Sequence, residues 1–152
     1  MLDMIDALRE TDEFGRSPLH YAAADGDAAE VARLLAEGAD PSQPDAVRFT
    51  PLHFAAQEQH PEVIALLIAA GSATTATDRW GNTPLWRAIF TAHGQRAAAN
   101  ALLAHGADPD AANSTGISPR RLAQRMGLGE LTSTRVTSSP PTGSFALPRQ
   151  RD

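Results

Sequence analysis

Hydrophobic side chains recur at helical spacing in three stretches of the chain. Each stretch places apolar residues at positions i, i+3 and i+4, which fall on one face of a helix. The three sets are Val31, Leu34 and Leu35; Ile64, Leu67 and Ile68; and Ala99, Leu102 and Leu103. The pattern predicts three amphipathic helices whose apolar faces need a neighbour to cover them.

Two landmarks around these stretches keep the same period. Ser/Thr-Pro pairs begin at Ser17, Thr50, Thr83 and Ser118, with spacings of 33, 33 and 35 residues. The glycines that follow the apolar stretches are Gly38, Gly71 and Gly106, with spacings of 33 and 35. Proline suits the first position of a helix, and Ser or Thr before it caps the free amides. The sequence therefore predicts a second helix in each unit, and a stack of repeated units.

The repeated motifs carry a family resemblance. SPLHYAA, TPLHFAA and TPLWRAI are each followed by a leucine-rich stretch and then by GAD or GSA. This combination resembles the ankyrin repeat over residues 12 to about 127. The resemblance implies an all-α solenoid in which each repeat has a hairpin-like turn and two antiparallel helices. Stacked repeats bury their apolar faces jointly, so about three or more are needed for a stable core.

The repeat pattern also predicts how the chain is divided. Three full repeats are expected over 12–44, 45–77 and 78–112, the third with a two-residue insertion. The flanking parts are a cap helix over 1–11, a truncated fourth repeat over 113–136, and a flexible Ser/Thr/Pro/Gly-rich tail over 137–152. In the fourth repeat we expect Arg120, Arg121 and Arg125 to face water.

Composition excludes several kinds of chemistry. The 152 residues include no cysteine and no lysine, which excludes disulfides, thiol nucleophiles, cysteine-bound metals and lysine Schiff bases. Residues 12–112 carry 13 acids and six arginines, and this acidic body argues against nucleic-acid binding. No segment approaches the roughly 20 apolar residues of a membrane span, and the first residues do not resemble a secretory signal. We expect a cytoplasmic protein without membrane or nucleic-acid partners.

No catalytic motif is present in the sequence. His20 and His53 occupy the Pro-Leu-His position of the repeat, where we expect each imidazole to bind backbone groups of a neighbouring repeat. Asp108 and Asp110 resemble the opening of a calcium loop, but Ala112 stands at the next ligand position. We expect no enzymatic activity, no cofactor and no metal.

The aromatic residues indicate where a partner binds. Seven of the eight lie in turns or first helices, which form the concave binding side in the ankyrin architecture. Aromatic residues and arginine are enriched at interface hot spots. The candidate contact residues are Phe14, Arg16, Val47, Arg48, Phe49, Glu58, Arg79, Trp80, Asn82, Trp86, Arg87 and Phe90.

Some of these candidates have an alternative role. Trp80, Trp86 and Arg48 are the first choices, because Trp86 replaces the repeat histidine and Arg48 replaces the repeat glycine. Phe14 and Trp80 are equally well explained as packing against the neighbouring turn. Tyr21 and Phe54, not among the candidates, are expected to fill space between helices.

The family resemblance implies a non-enzymatic protein that binds a folded protein, and we expect the chain to be a monomer on its own. Adaptor, scaffold and inhibitor roles occur in the family, and short bacterial members include immunity proteins. The third repeat is similar to these bacterial forms, which favours an inhibitor, immunity or adaptor role. The alternatives are an accessory or regulatory subunit of an enzyme, a structural spacer, or recognition through the tail.

Overall fold

The structure is a computed structural model, and it describes residues 10–131. Within this range the chain forms seven α-helices and no strand. The helices are α1 (Pro18–Asp25), α2 (Ala28–Ala36), α3 (Pro51–Gln57), α4 (Pro61–Ala69), α5 (Pro84–Phe90), α6 (Ala97–Ala104) and α7 (Pro119–Arg125). The expected tail and nearly all of the expected cap helix lie outside the described residues.

The first helix of each repeat begins as the sequence predicts. Proline occupies the first turn of α1, α3, α5 and α7. In the last three of these helices the preceding hydroxyl accepts a hydrogen bond from an amide of the first turn. These bonds are 3.3 Å for Thr50, 3.2 Å for Thr83 and 3.2 Å for Ser118. Local sequence thus defines where these short helices start.

The helices form two layers. Helices α1, α3, α5 and α7 pack side by side in one layer, and α2, α4 and α6 pack side by side in the other. Leu19, Leu52 and Leu85 lie at equivalent positions of the first layer, and all three are buried. Ala22, Ala55, Ala88 and Ala123 are also equivalent and buried, which lets neighbouring helices approach closely. The all-α repeat stack predicted from the sequence is confirmed.

Adjacent repeats are also joined through their turns. The Ala46 amide donates to the Phe14 carbonyl at 2.9 Å, and the Arg79 amide donates to the Val47 carbonyl at 3.0 Å. The Ser114 amide donates to the Trp80 carbonyl at 3.0 Å. These backbone hydrogen bonds fix the turns beside one another, so residues at equivalent turn positions form columns along one face.

The inserted residues of the third repeat lie between its two helices. Residues 91–96 connect α5 to α6, whereas residues 58–60 connect α3 to α4. The insertion is therefore accommodated in a connection, where His93 and Gly94 both adopt positive φ.

The fourth repeat has one helix in the described range, and two arginines bind the segment after it. Arg96 donates to the carbonyls of Leu128 and Glu130, the latter at 2.8 Å. Arg120 donates to the Leu131 carbonyl at 3.0 Å and to Asp110 at 2.7 Å. Arg121 and Arg125 are exposed, and the Arg120 side chain is 35% exposed, so all three reach water as expected. Arg120 also holds the end of the stack.

Candidate partner-binding surface

A carboxylate at one repeated position builds each of the second and third turns. Asp45 Oδ1 accepts hydrogen bonds from the Val47 and Phe49 amides, at 3.0 and 2.8 Å. Asp78 Oδ1 accepts from the Trp80 and Asn82 amides, at 2.9 and 3.0 Å. Asp12 and Asn113 bind the corresponding amides of the first and fourth turns. Each turn thus has a fixed shape.

The second oxygen of each buried carboxylate holds an arginine. Arg87 donates to Asp78 Oδ2 from Nη2 at 2.7 Å and from Nε at 2.9 Å. Arg16 Nε donates to Asp45 Oδ2 at 3.2 Å. The two carboxylate side chains are 1% exposed or less, whereas those of Arg16 and Arg87 are 31% and 15% exposed. The acids are therefore covered while the arginines reach the surface.

Electrostatics at Asp78 favours the charged pair. Burial alone would raise the pKa of the Asp78 carboxyl, because it disfavours the ionised form. Hydrogen bonds from the Asn82 and Trp80 amides and from Arg87 outweigh burial, and the pKa lies below its ordinary value. The carboxylate is ionised at neutral pH, so it can fix the position of Arg87.

Both arginines stack on aromatic rings. The guanidinium carbon of Arg16 lies 5.1 Å from the centre of the Phe14 ring and 5.0 Å from that of Phe54. The guanidinium carbon of Arg87 lies 4.7 Å from the centre of the Phe49 ring and 5.5 Å from that of Trp80. The Phe49 and Phe54 rings are 5.1 Å apart. These contacts form one continuous set, which we name the arginine–aromatic ladder: Phe14, Arg16, Phe54, Phe49, Arg87 and Trp80.

A shallow groove of about 240 Å³ runs along the ladder. Its lining consists of Arg16, Val47, Phe49, Phe54, Gln57, Trp80 and Arg87. Five of these seven are among the predicted contact residues, and Phe54 and Gln57 are not. Phe54 is half-buried on the groove, so the expectation that it only fills space between helices was incomplete.

The predicted contact residues differ in exposure. Phe14, Trp80 and Phe90 are 51%, 49% and 52% exposed. Arg48, Glu58 and Arg79 are also exposed, and Arg16, Val47 and Arg87 are half-buried. Phe49, Asn82 and Trp86 are buried. These last three pack against other residues of the stack, and Phe49 also lines the groove.

The buried candidates have identifiable structural partners. Asn82 donates to Asp78 Oδ2 at 3.3 Å and accepts from the Asn113 amide group at 2.9 Å. Trp86 Nε1 donates to the Ile117 carbonyl at 3.1 Å. The ring of exposed Phe90 stacks on Trp86 with the ring centres 5.2 Å apart. Trp86 therefore contributes to the surface through Phe90.

His20 and His53 hold neighbouring repeats together, as the sequence predicts. The Ser17 amide donates to His20 Nδ1 at 2.9 Å, so Nε2 carries the proton and donates to the Phe49 carbonyl at 3.1 Å. His53 repeats this arrangement, with its Nε2 2.9 Å from the Asn82 carbonyl. Burial lowers the pKa of His53 to about 4, so the ring is neutral. Trp86 is equivalent to both and uses its indole N–H in the same way.

Three further expectations have clear structural outcomes. Tyr21 is 44% exposed and its hydroxyl donates to Asp12, so the expectation that it fills space between helices was wrong. Glu58 does not line the ladder groove but lines a separate polar cavity of about 470 Å³. Arg48 has a φ of 68°, which confirms that it occupies a turn position suited to glycine.

Two acids that organise the surface, Asp45 and Asp78, were not predicted from the sequence. Asp45 and Asp78 belong to a column with Asp12 and Asn113, and its spacings of 33, 33 and 35 residues were visible in the sequence.

Among residues 10–131, no cluster of His, Asp and Glu side chains has an arrangement that would bind a metal ion. No helix in the same range has the length and apolar character needed to cross a bilayer.

Comparison with known proteins identifies the family. A family model described as ankyrin repeats (three copies) matches residues 2–78 and 19–113. A search of curated proteins gave no significant match. Ankyrin repeats are generally protein–protein interaction modules, and proteins built from them are typically not enzymes. The repeated turns, the two helical layers and this match together show that the chain belongs to the ankyrin repeat family.

Proposed function

We propose that this protein recognises one folded protein partner through the arginine–aromatic ladder and the adjoining turn tips. The ladder is the observation that carries the proposal. It places two half-exposed rings, Phe14 and Trp80, at equivalent positions of different repeats. Exposed aromatic side chains of this size, with arginine between them, are typical of residues that dominate binding energy.

Preorganisation supports the same conclusion. An arginine side chain normally loses considerable rotamer freedom when it binds. Here Asp78 and the Phe49 ring already restrict Arg87, and Asp45 restricts Arg16. A partner that contacts these guanidinium groups therefore incurs a smaller entropic loss than with free surface arginines.

The biological role in this proposal is that of an inhibitor, an immunity protein or an adaptor. In each case a small monomeric module covers a surface of its partner and performs no reaction itself. The proposal also includes the expected cytoplasmic location, and protein rather than nucleic acid or membrane as the partner. Cell fractionation tests the location, and light scattering of the purified chain tests the monomeric state.

Affinity capture from lysate of the source organism tests the proposal. The baits are the full chain, Trp80→Ala, Phe90→Ala and a chain that ends at Val136. Arg33→Gln is the control, because Arg33 pairs with Glu30 and Glu37 of its own segment and does not line the groove. Trp86 is not substituted, since its burial would confound folding with binding.

The expected result is one protein that the full chain and Arg33→Gln retain and that folded Trp80→Ala loses. Loss only with the shortened chain would place recognition in the tail. If an enzyme is captured and its activity requires the chain, the accessory-subunit alternative replaces inhibition. Identical capture by every bait would overturn the proposed surface.

A further inference from the structure

We infer that the ladder groove receives an acidic side chain of the partner, carried on a segment with aliphatic or aromatic neighbours. This inference rests on the proposed function, because it names the chemistry that the same surface recognises. Four features carry it: the sign of the exposed charge, the free donor of Arg87, the apolar walls, and the size of the groove.

The charge that the groove exposes is positive. Its lining includes Arg16 and Arg87 and no acid. Asp45 and Asp78 lie beneath these arginines with side chains 1% and 0% exposed, so a partner cannot contact them. The exposed acids of the neighbouring turn and helix end are Asp12, Glu13 and Glu58, and none of them lines the groove.

The exposed turns add to this positive charge. Arg48 and Arg79 lie on the second and third turns, and neither has an ion pair among residues 10–131. The second and third turns thus present arginines that are unpaired within that range, although the whole chain has a net charge of −5. Complementary potentials across an interface favour the correct partner and its orientation. An acidic side chain of the partner can therefore pair with the arginines of this face.

Arg87 has a donor available for such a ligand. Its Nε and Nη2 groups are directed to Asp78, and its Nη1 group has no acceptor in the described part of the chain. Asp78 fixes one edge of the guanidinium, and the Phe49 ring covers a face at 4.7 Å. A carboxylate at the open edge would receive a charge-assisted hydrogen bond, which is stronger than a neutral one.

The remaining walls of the groove are apolar. Val47, Phe49, Phe54 and Trp80 surround the two arginines, with Gln57 as the one neutral polar side chain in the lining. These walls favour aliphatic or aromatic residues beside the acid. A cavity of about 240 Å³ holds side chains rather than an entire helix. The ligand is therefore a short acidic and apolar stretch at the partner's surface.

Selection from a displayed library of random peptides tests the inference with the full chain as target. Selected peptides are synthesised in two forms, one with the acid and one with Glu→Gln or Asp→Asn. Calorimetry then compares both forms against the full chain, Trp80→Ala, Arg16→Gln, Arg87→Gln and the control Arg33→Gln. The amide-for-acid change in the peptide needs no protein variant, so a folding defect of Arg87→Gln leaves the test intact.

We expect peptides whose affinity falls about tenfold or more when the acid becomes an amide. The affinity should fall comparably with Arg87→Gln, weaken at high salt, and be unchanged with Arg33→Gln. Peptides that require Trp80 but retain their affinity as amides would overturn the inference and leave the proposed surface standing. A selection without any Trp80-dependent peptide would also overturn the inference. Affinity capture from lysate then tests the proposed function separately.

Discussion

Arg87 connects the second and third repeats through two contacts made at once. Its Nη2 atom lies 2.7 Å from Asp78 Oδ2, and its guanidinium carbon lies 4.7 Å from the centre of the Phe49 ring. The acid belongs to the turn that leads into α5, and the ring belongs to the turn before α3. One side chain therefore stabilises the repeat junction and forms the centre of the candidate surface.

Removal of Arg87 should destabilise the stack. Arg87→Met preserves much of the aliphatic volume but leaves the Asp78 carboxylate buried without its cation. Breaking a buried ion pair in this way costs about 3 kcal/mol, which urea unfolding at pH 7 measures. The double variant Asp78→Asn/Arg87→Met should recover part of the loss, since an amide needs no counter-charge. If Arg87→Met unfolds at the same urea concentration as the parent, the pair has no structural role.

Substitution of Leu67 should reduce stability, whereas substitution of Trp80 should reduce binding. Leu67 is fully buried in α4, so Leu67→Ala should lower the free energy of unfolding by about 2–5 kcal/mol. Trp80 is half-exposed and makes weak cation–π contacts with Arg79 and Arg87, so Trp80→Ala should cost about 1 kcal/mol or less. Thermal unfolding measures both. A large loss of stability with Trp80→Ala would mean that the ring stabilises the turns and does not serve mainly to bind a partner.

The Arg48 turn should become more stable with glycine. Arg48 has a φ of 68°, and the left-handed region disfavours side chains with a Cβ atom. Arg48→Gly should therefore raise the free energy of unfolding by about 0.5–1 kcal/mol, after allowance for the greater entropy of glycine in the unfolded chain. If Arg48 contacts the partner, the same variant should bind more weakly, which calorimetry with the captured protein tests.

A reverse substitution at the third turn is the control for Arg48. Gly81 has a φ of 80°, and a Cβ atom there would lie 2.8 Å from the Ser114 backbone nitrogen. Gly81→Ala should thus destabilise the chain by about 1–3 kcal/mol. Should Arg48→Gly lower stability as Gly81→Ala does, the Arg48 side chain would be a structural contact, not a tolerated strain.

Leu131 should anchor the C-terminal end of the described stack. Its side chain is 1% exposed, and Arg120 binds its carbonyl at 3.0 Å. Leu131→Ala should lower the free energy of unfolding by about 2–4 kcal/mol, as for other buried leucines. Leu128→Ala is the matched control, since Leu128 is only half-buried and should cost less. Equal effects of the two variants in urea unfolding would contradict the anchoring role.

The repeat period was sufficient to predict the fold because the stabilising features are local or periodic. Proline and its preceding hydroxyl start the first helices, and the apolar spacing of α2, α4 and α6 defines their buried faces. Each unit then contacts mainly its neighbours, so correct prediction of one unit extends to the stack. This explains why the two-layer arrangement followed from the sequence.

The site was less predictable because the arginine that covers the buried acid comes from a different place in each repeat. Asp78 is covered by Arg87 from the following helix, whereas Asp45 is covered by Arg16 from the preceding repeat. Nothing in the spacing alone selects those partners. Trp86 is a similar case, since its indole N–H replaces the imidazole N–H of His20 and His53 and draws the ring inward. A residue that departed from the repeat pattern thus retained a structural role.

Acid should weaken the repeat junction through His53. Burial lowers the pKa of His53 from 6.5 to about 4, so the unfolded chain binds this proton more readily than the folded chain. The contribution is complete above pH 6.5 and is lost as the pH falls toward 4, with about 2 kcal/mol lost between pH 7 and pH 5. Urea unfolding at both pH values measures the difference, which His53→Gln should reduce and the exposed control His105→Gln should not. An unchanged pH dependence in His53→Gln would show that the neutral ring between Thr50 and Asn82 does not couple protonation to stability.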